Sequence, residues 1–531
     1  MIRVSNIHIP LSYSDDTVKK KVCRELKISE SAVKSLSLFR RSVDARKKDN
    51  IYFLCSADVE LFSGESAAVK KCRNASFVKP YSYEVPRWKG GSAPLVVGAG
   101  PAGLFAALIL AQSGAKPVLI ERGKDVDSRT SDVGMFWKNG RLNTESNVQF
   151  GEGGAGTFSD GKLNTGTKDS RQRKVLNEFV KHGAPGEILY NAKPHIGTDK
   201  LKTTVKNIRE EIISLGGTVM FKTKLTDITE KNGKITGAVV ERGGKSSVIE
   251  TDSVILAVGH SARDTFEMLY GKKLPIEAKA FSVGARIEHL REMIDKSQYG
   301  KFAGNKALGA AYYKMNVHTE DKRGAYTFCM CPGGRVVNAS SEENMLCTNG
   351  MSEFARYREN SNAALLVGVS PKDYGSDSPL GGMYFQRRLE KAAFELGGGG
   401  FAAPVQRVGD FISGRKSTSL GSVKPSILPN HELSDLNRIL PEYISANMKT
   451  AIRDMGKKLN GFDCGDALLT GLETRSSSPI RMIRDSKSLQ SIGMGGLYPC
   501  GEGAGYAGGI ISAAVDGIRC AEAVIENNID L

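Results

Sequence analysis

The sequence has few cysteines for its length and lacks the features of an exported protein. Nine cysteines occur among 531 residues, an odd number without the spacing of a disulfide framework or a zinc site. The N-terminal segment MIRVSNIHIP has neither the basic stretch and apolar core of a secretory signal nor the Arg- and Ser-rich composition of a transit peptide. These absences predict a cytoplasmic protein with reduced cysteines and no bound metal.

The sequence also lacks a convincing transmembrane segment. Residues 93–112 carry no charge, but glycines, Pro94 and Pro101 interrupt them. This composition is more typical of a buried strand, turn and helix than of a membrane-spanning helix, so no membrane span is expected. A chain of 531 residues is too long for one hydrophobic core, and about two to four domains are predicted.

Negative charge is scarce at the N-terminus. Residues 1–90 contain 18 Lys and Arg against 10 Asp and Glu, so 18 − 10 = +8 of the net charge of +16 lies there. Such a segment can present a solvated basic face or bind an acidic partner or nucleic acid. We favour the solvated face, because no zinc-finger spacing or aromatic RNA-binding motif is present.

This basic segment predicts a small α+β domain, residues 1–85, with a ferredoxin-like arrangement. Strands are expected at residues 2–9 and 51–59, a helix from Asp15 to about Lys27, and a short helix over Ser31–Leu36. The segment PRWKGGSAP, which precedes residue 95, is rich in proline and glycine and predicts a linker.

A glycine pattern follows the linker. The apolar run Leu95–Val97 meets Gly98, Gly100 and Gly103, and a second apolar run ends at Glu121. In a dinucleotide-binding fold, these glycines permit a tight turn, close approach of a pyrophosphate, and close packing of helix on strand. The acid about 20 residues further on accepts hydrogen bonds from a ribose. The alternative is a buried strand–helix–strand unit with incidental glycines.

The next segment predicts a helix over Asp199–Leu215, a β-meander, and a buried strand over Ser253–Val258 that closes at Gly259. The meander strands are expected near Thr218–Thr223, Ile235–Glu241 and Ser246–Glu250.

Two further glycine-rich segments flank this region. The loop Val148–Thr167 has the composition of a backbone pressed against a flat ligand, with an ordinary surface loop as the alternative. Near the C-terminus, GLYPCGE leads through a glycine-rich turn into an apolar helix. The N–H groups of Gly509 and Ile510 at the start of that helix are suited to stabilising negative charge.

Together these segments resemble FAD-dependent oxidoreductases of the glutathione-reductase-like flavoprotein superfamily, and within it a poorly characterised bacterial group of FAD-dependent dehydrogenases. Two positions depart from the superfamily pattern, since Ala257-Val258-Gly259 replaces Ala-Thr-Gly and Glu502 replaces the usual Asp. The segments that carry the resemblance include VVGAGPAGL, VQFGEGGAGTFSDGKLNTGT, KPHIGTDKL, FSVGARIEH, TFCMCPGG, ETRSSSPIR and GLYPCGEGAGYAGG.

The resemblance implies an α/β fold in which a Rossmann-like parallel sheet with a β-meander binds FAD non-covalently. The FAD-binding domain is expected in two parts, 92–277 and 461–531, with an α+β substrate domain, 278–460, inserted between them. The expected cofactor-binding residues are Gly98, Gly100, Pro101, Ala102, Gly103, Glu121, Arg122, Gly153, Gly154, Gly156, Thr157, Lys162, Gly259, Gly501, Glu502, Gly508, Gly509 and Ile510.

The candidates for catalysis lie mostly in the inserted region. Cys329 and Cys331 are candidates to exchange electrons with a flavin or attack a substrate, but in a regular strand their thiols would point to opposite faces, which favours a structural role. His195 and His289 are acid–base candidates, with a structural histidine as the alternative. Arg475 and Arg481 are candidates to bind a substrate carboxylate or phosphate, or to form ordinary salt bridges.

The predicted function is an FAD-dependent oxidoreductase that passes hydride or electrons between a small-molecule substrate and the flavin. No separate nicotinamide-binding domain is visible, so NAD(P)H is considered only as a transient donor. The alternatives are an FAD-dependent enzyme that modifies a nucleic acid such as tRNA, and a flavoprotein without catalytic activity.

Overall fold

The N-terminal domain is an antiparallel sheet with two helices. The structure, a computed structural model, describes residues 1–319 and 321–527. The sheet order β2-β3-β1-β4 confirms the ferredoxin-like prediction. The elements are β1 (Ile2–Ile9), α1 (Asp15–Leu26), β2 (Val33–Asp44), β3 (Tyr52–Leu61), α2 (Glu65–Lys71) and β4 (Ala75–Phe77).

One local prediction in this domain is wrong. A single 3-10 turn occupies Glu30–Ala32, and β2 begins at Val33 instead of a helix over Ser31–Leu36. The backbone of β2 is hydrogen-bonded to β3 over most of its length, and Leu36 and Leu38 pack against the core of the domain. This tertiary pairing outweighs the local helical pattern.

The second domain, called here the parallel-sheet domain, contains a five-stranded parallel sheet of order β23-β11-β5-β6-β7. Its strands are β5 (Leu95–Val97), β6 (Val118–Ile120), β7 (Thr218–Met220), β11 (Val254–Leu256) and β23 (Leu497–Pro499). Its helices are α3 (Pro101–Ser113), α4 (Val126–Asn139), α5 (Arg171–Lys181), α6 (Thr198–Ser214), α7 (Arg263–Gly271) and α12 (Ile510–Asn527).

Two hydrophobic cores cover the faces of this sheet. Helices α3, α5, α6 and α12 pack on one face, and α7 and the meander pack on the other. Helix α3 is apolar on all sides because it lies between the sheet and the other helices. The charge-free segment 93–112 thus forms β5 and most of α3, and no helix among the described residues is long and apolar enough to cross a membrane.

The β-meander is an antiparallel sheet of three strands, β8 (Thr223–Lys231), β9 (Lys234–Arg242) and β10 (Lys245–Glu250). The strand predicted near Thr218–Thr223 is divided between two sheets, because Thr218–Met220 forms the edge of the parallel sheet and the meander begins at Thr223. The polar sequence of β8 hides its alternation of buried and exposed residues.

The inserted domain is built on a seven-stranded mixed sheet of order β14-β15-β18-β13-β21-β19-β20. The strands of the domain are β12 (Ile276–Ala278), β13 (Phe281–Leu290), β14 (Asn316–His318), β15 (Gly324–Cys331), β16 (Arg335–Asn338), β17 (Thr348–Met351), β18 (Asn360–Val369), β19 (Ala403–Arg407), β20 (His431–Leu433), β21 (Leu468–Glu473) and β22 (Ile480–Met482). Its helices are α8 (Arg291–Tyr299), α9 (Gly381–Leu396), α10 (Val408–Ser413) and α11 (Glu442–Lys458).

The chain enters and leaves this domain through β12 and β22, which pair with each other. Strand β21 pairs with β13 and β19, so the seven-stranded sheet extends beyond residue 460, where the domain boundary was expected. The two ends of the insertion therefore lie side by side next to the parallel sheet.

Candidate functional site

A cavity extends from the ends of the parallel strands to the sheet of the inserted domain. We call it the central cavity. Its walls come from the glycine turn after β5, the loop 149–164, the start of α12, and strand β15. The polar residues of the inserted domain that line it include Lys314, Thr327, Cys329, Asn349 and Glu473.

The three glycines of the turn have different environments. A Cβ on Gly98, whose φ is +99°, would lie 2.5 Å from the Ala257 carbonyl oxygen. A Cβ on Gly103 would lie 1.8 Å from the Gly98 carbonyl oxygen, so this position needs glycine for packing. Gly100 lines the cavity, and the nearest atom to a Cβ there is 3.9 Å away. Only Gly100 therefore leaves open space where a ligand can approach the backbone.

Glu121 organises the backbone around this turn. Its Oε2 accepts a hydrogen bond from the Ala99 N–H at 2.8 Å, and its Oε1 accepts from the N–H groups of Gly123 and Gly151, both at 2.9 Å. A carboxylate oxygen can accept two hydrogen bonds, so Oε2 retains one acceptor position. Arg122 lines the cavity, while its guanidinium forms ion pairs with two acids, Glu145 and Asp264.

The loop Val148–Thr167, called here the clamp loop, is largely buried, which argues against an ordinary surface loop. The fully buried guanidinium of Arg129 donates hydrogen bonds to backbone carbonyls at positions 147, 148, 151, 152 and 154. A Cβ on Gly154 would lie 3.0 Å from the Cα of Gly100. Arg129 thus holds the clamp loop against the glycine turn, a role that the sequence analysis missed.

The start of α12 closes the other side of the cavity. Gly508, Gly509 and Ile510 line it, and so does Glu502. Burial raises the pKa of the Glu502 carboxyl to about 7. Gly501 lies behind this wall, where a Cβ would be 2.8 Å from the Cβ of Ala102.

Some of the remaining cofactor-binding candidates line the central cavity, and others lie within the clamp loop. Pro101, Ala102, Gly156, Lys162 and Gly259 line the central cavity. Gly153 and Thr157 lie within the clamp loop, where the buried Thr157 hydroxyl donates to the Glu152 carbonyl.

These residues fit an anionic dinucleotide. Four glycines that line the cavity have no protein atom in tight contact with the position that a Cβ would occupy. They are Gly100, Gly259, Gly508 and Gly509. The start of α12 offers backbone N–H groups, and the buried Nζ of Lys162 has no hydrogen-bond partner within residues 1–319 and 321–527. A pyrophosphate or a reduced flavin ring supplies the negative charge that such a surface favours.

The two cysteines do not follow the expected strand geometry. Phe328 pairs with Ala364 and Cys331 pairs with Asn362, so β15 has one extra residue relative to β18, which is a β-bulge. Cys329 occupies the bulge with a φ of +43°. The Cys331 thiol consequently lies 3.3 Å from the Cys329 carbonyl oxygen. The expectation that the thiols point to opposite faces is wrong, because residues i and i+2 share a face of a regular strand and the bulge at Cys329 then departs from that regular geometry.

Buried charges surround these thiols. Arg286 donates to the Cys329 carbonyl oxygen at 2.8 Å, and its guanidinium is held by the buried carboxylate of Glu473. Lys162 lies on the opposite side, with its Nζ 5.1 Å from the ring centroid of Tyr312. The hydrogen bond from Cys331, together with Lys162 and Arg286, lowers the pKa of the Cys329 thiol to about 5.

The two histidine candidates do not line the central cavity. The Nε2 of His195 lies 3.0 Å from the Phe354 carbonyl oxygen, and that of His289 lies 2.8 Å from the Phe462 carbonyl oxygen. Burial lowers the pKa of each ring to about 4, so both are neutral at neutral pH. Their backbone partners and their positions outside the cavity fit the structural alternative.

The contacts of the two arginine candidates, Arg475 and Arg481, differ from those expected for substrate binding. The guanidinium of Arg475 reaches the cavity wall, but it donates to both oxygens of Glu390 and to the hydroxyls of Ser261 and Ser341. These bonds correspond to the salt-bridge alternative and leave little donor capacity for a substrate. Arg481 does not line the cavity and lies beside Tyr506.

Several cavity residues were not predicted. His260 follows the predicted Gly259 directly, and its Nδ1 lies 2.9 Å from the Ser261 hydroxyl. The sequence signal that could have identified His260 as a cavity residue is its position directly after the end of the predicted strand. Tyr312, Lys314, Thr327 and Glu473 reach the cavity only through the pairing of distant strands, which no local pattern reveals.

Three segments of the chain match described families. Residues 93–281 match the family described as pyridine nucleotide-disulphide oxidoreductase, and residues 280–476 match the family described as FAD-dependent protein, C-terminal domain-like. Residues 1–60 match a domain of unknown function.

The comparison with solved structures found similarities at low sequence identity. A flavin-dependent brominase is 12% identical, with coverage of 83% of this chain and 80% of that one and a TM-score of 0.36. A flavoprotein/dehydrogenase from Cytophaga hutchinsonii is 13% identical, with coverages of 83% and 78% and a TM-score of 0.37. A geranylgeranyl bacteriochlorophyll reductase-like protein from Thermoplasma acidophilum is 14% identical, with coverages of 82% and 78% and a TM-score of 0.35.

Similarity in sequence is much higher to an uncharacterized protein of Clostridium beijerinckii. The two chains are 50% identical over 531 residues, which cover 99% of this chain and 98% of the relative. The cofactor follows from the two family matches, because residues 280–476 match an FAD-dependent family and residues 93–281 match an oxidoreductase family. The chain therefore belongs to the same family as the clostridial protein, a family of FAD-dependent oxidoreductases.

Proposed function

We propose that the protein is a dehydrogenase or reductase that exchanges electrons between FAD and a small molecule bound in the central cavity. The observation that carries this proposal is the continuity of the cavity. One wall is the glycine turn of the parallel sheet, and the facing wall is strand β15 of the inserted domain. A substrate held by the inserted domain is thereby brought next to the cofactor.

Different residues of the cavity are suited to binding the cofactor and to handling a proton. When bound, FAD supplies the two-electron chemistry. Gly100, Glu121 and the start of α12 would hold the dinucleotide, and Glu502 would place a titratable carboxyl beside it. Burial keeps this carboxyl close to half protonated near pH 7, which suits it to hold or release a proton there.

The substrate end of the cavity favours a small polar or anionic molecule. Lys162 and Lys314 both line it, and Lys162 has no hydrogen-bond partner in the described chain. An anionic group on the substrate would satisfy this buried ammonium, whose isolation from water is otherwise unfavourable. Tyr312 lies beside it and provides a flat apolar surface.

The test is anaerobic reduction of the purified yellow protein, followed by its visible absorption spectrum. NADH, NADPH and pooled small metabolites are added separately, and bleaching of the flavin bands identifies a donor. A flavin that no donor reduces would contradict the proposal and support a non-catalytic flavoprotein. Co-purified nucleic acid, or binding of tRNA with a steep salt dependence, would instead support the nucleic-acid alternative.

A further inference from the structure

We infer that Cys329 and Cys331 form a redox-active dithiol, in which Cys329 attacks a low-molecular-weight disulfide and Cys331 resolves the product. This inference deepens the proposed function, on which it rests for the location of the substrate in the central cavity. It concerns the thiols themselves, so they can be measured separately from the flavin.

The first support is the bulge in β15. In a regular strand, residues separated by one position lie on the same face, and a thiol pair there would be spaced too widely to react. The extra residue and the φ of +43° at Cys329 interrupt the regular strand, and the Cys331 thiol donates to the Cys329 carbonyl oxygen at 3.3 Å. A non-glycine residue in this region is strained, and such strain is concentrated at functional sites.

The second support is the difference in access between the thiols. Cys329 lines the central cavity, whereas Cys331 is fully buried behind it. A disulfide substrate can therefore reach only Cys329. Cys331 can then reach only the sulfur of Cys329, which is the arrangement required of an attacking and a resolving thiol.

The third support is the charge around the pair. Lys162 has a buried Nζ without a hydrogen-bond partner in the described part of the chain, and Arg286 donates to the Cys329 carbonyl oxygen. These cations favour the thiolate of Cys329, while burial and the neighbouring thiolate raise the pKa of Cys331. Cys329 is thus suited to act as the nucleophile, and Cys331 is suited to carry a proton.

Other cysteines lie away from the central cavity, including the buried neighbours Cys500 and Cys520. Burial raises the pKa of Cys55 to about 11 and that of Cys347 to about 12, and neither lines the central cavity. Cys464 is exposed on the surface. These residues provide internal references for any measurement on Cys329.

The proposed step balances in atoms and electrons. The Cys329 thiolate attacks one sulfur of the disulfide R–S–S–R, the S–S bond breaks, and RS⁻ leaves and takes a proton from solvent. The Cys331 thiol then gives its proton to the second leaving thiolate as its sulfur bonds to Cys329 and releases that group. The two protein thiols are oxidised to a disulfide, and the substrate is reduced to two thiols. Excess thiol reverses the exchange.

The experiment incubates the full-length holoprotein with oxidised glutathione, quenches with acid, and maps the peptide containing residues 329–331 by mass spectrometry. We expect wild-type protein to lose two hydrogen atoms on this peptide without retaining an adduct. Cys331→Ser is expected to accumulate a glutathione adduct on Cys329. Cys329→Ser is expected to show neither product.

Cys464 serves as the internal control, because its modification proves that the reagent is active. The absence of both disulfide and adduct at Cys329 in wild-type protein, while Cys464 is modified, would overturn the inference. The wild-type result does not depend on the folding of a variant, and retained flavin absorbance checks the variants. Because mass reports the thiols and absorbance reports the flavin, failure of this inference and failure of the proposed function are distinguishable.

Discussion

The Cys331 thiol lies 3.3 Å from the Cys329 carbonyl oxygen, and only Met330 separates the two residues in the sequence. Cys329, at the bulge, lines a cavity that also contains Lys162, whose Nζ has no hydrogen-bond partner among the residues that the structure describes. The reactivity of Cys329 should therefore follow the ionisation of a thiol whose pKa is lowered to about 5. Alkylation of Cys329 by iodoacetamide, followed by peptide mass spectrometry, should be independent of pH above about 6 and should fall as the pH drops through about 5.

Replacing Lys162 with Met should raise the pH midpoint of this alkylation, because the ammonium no longer stabilises the thiolate. Lys314→Met is the matched control, since Lys314 lines the same cavity and is not among the main causes of the lowered Cys329 pKa. Equal midpoints in the Lys162→Met variant and the wild type would show that the lysine has no such effect.

Gly100→Leu should abolish FAD binding without unfolding the protein. The φ of Gly100 is −73°, which any residue can adopt, and its Cβ position is free of protein contacts under 3.9 Å. The new side chain therefore occupies the space of the ligand. Flavin absorbance after purification measures binding, and circular dichroism measures folding. Gly134→Leu, at an exposed position of α4 with nothing near its Cβ, should keep its flavin.

Glu390→Leu should destabilise the protein by about 3–5 kcal/mol, because it leaves the buried guanidinium groups of Arg263 and Arg475 without their shared carboxylate. Urea unfolding of the purified variants measures this loss. Glu395→Leu on the same helix is the control, since its exposed pairing with Lys391 contributes less than about 1 kcal/mol. Similar stabilities of the two variants would contradict the assignment of Arg475 to a structural network.

Glu502 should make the stability of the FAD-free protein depend on pH. Burial raises its folded pKa from 4.5 to about 7, so the folded state holds an extra proton between these values and loses stability as the pH rises through them. Glu502→Gln lacks this dependence and should be the more stable form above pH 7, by roughly 2 kcal/mol because the carboxyl partly faces the cavity. Urea unfolding at pH 4.5 and pH 8 tests the difference, and an unchanged gap would refute it.

The sequence predicted the parts of the fold that depend on local patterns. The glycine turn, α3 and the ferredoxin-like N-terminal domain follow from spacing along short segments. The parts it missed depend on distant pairing. The pairing register between β15 and β18 creates the bulge at Cys329. The charge of Arg475 is neutralised by Glu390, which lies 85 residues earlier in the chain. No window of neighbouring residues contains that information.

The final helix has a consequence for the order of events during synthesis. Helix α12 packs directly on α3, and its first residues complete the central cavity. The ribosome therefore releases the glycine turn roughly 400 residues before the segment that closes the site. A nascent chain that ends after the inserted domain should be unable to retain FAD, so cofactor loading is a step that follows the synthesis of α12.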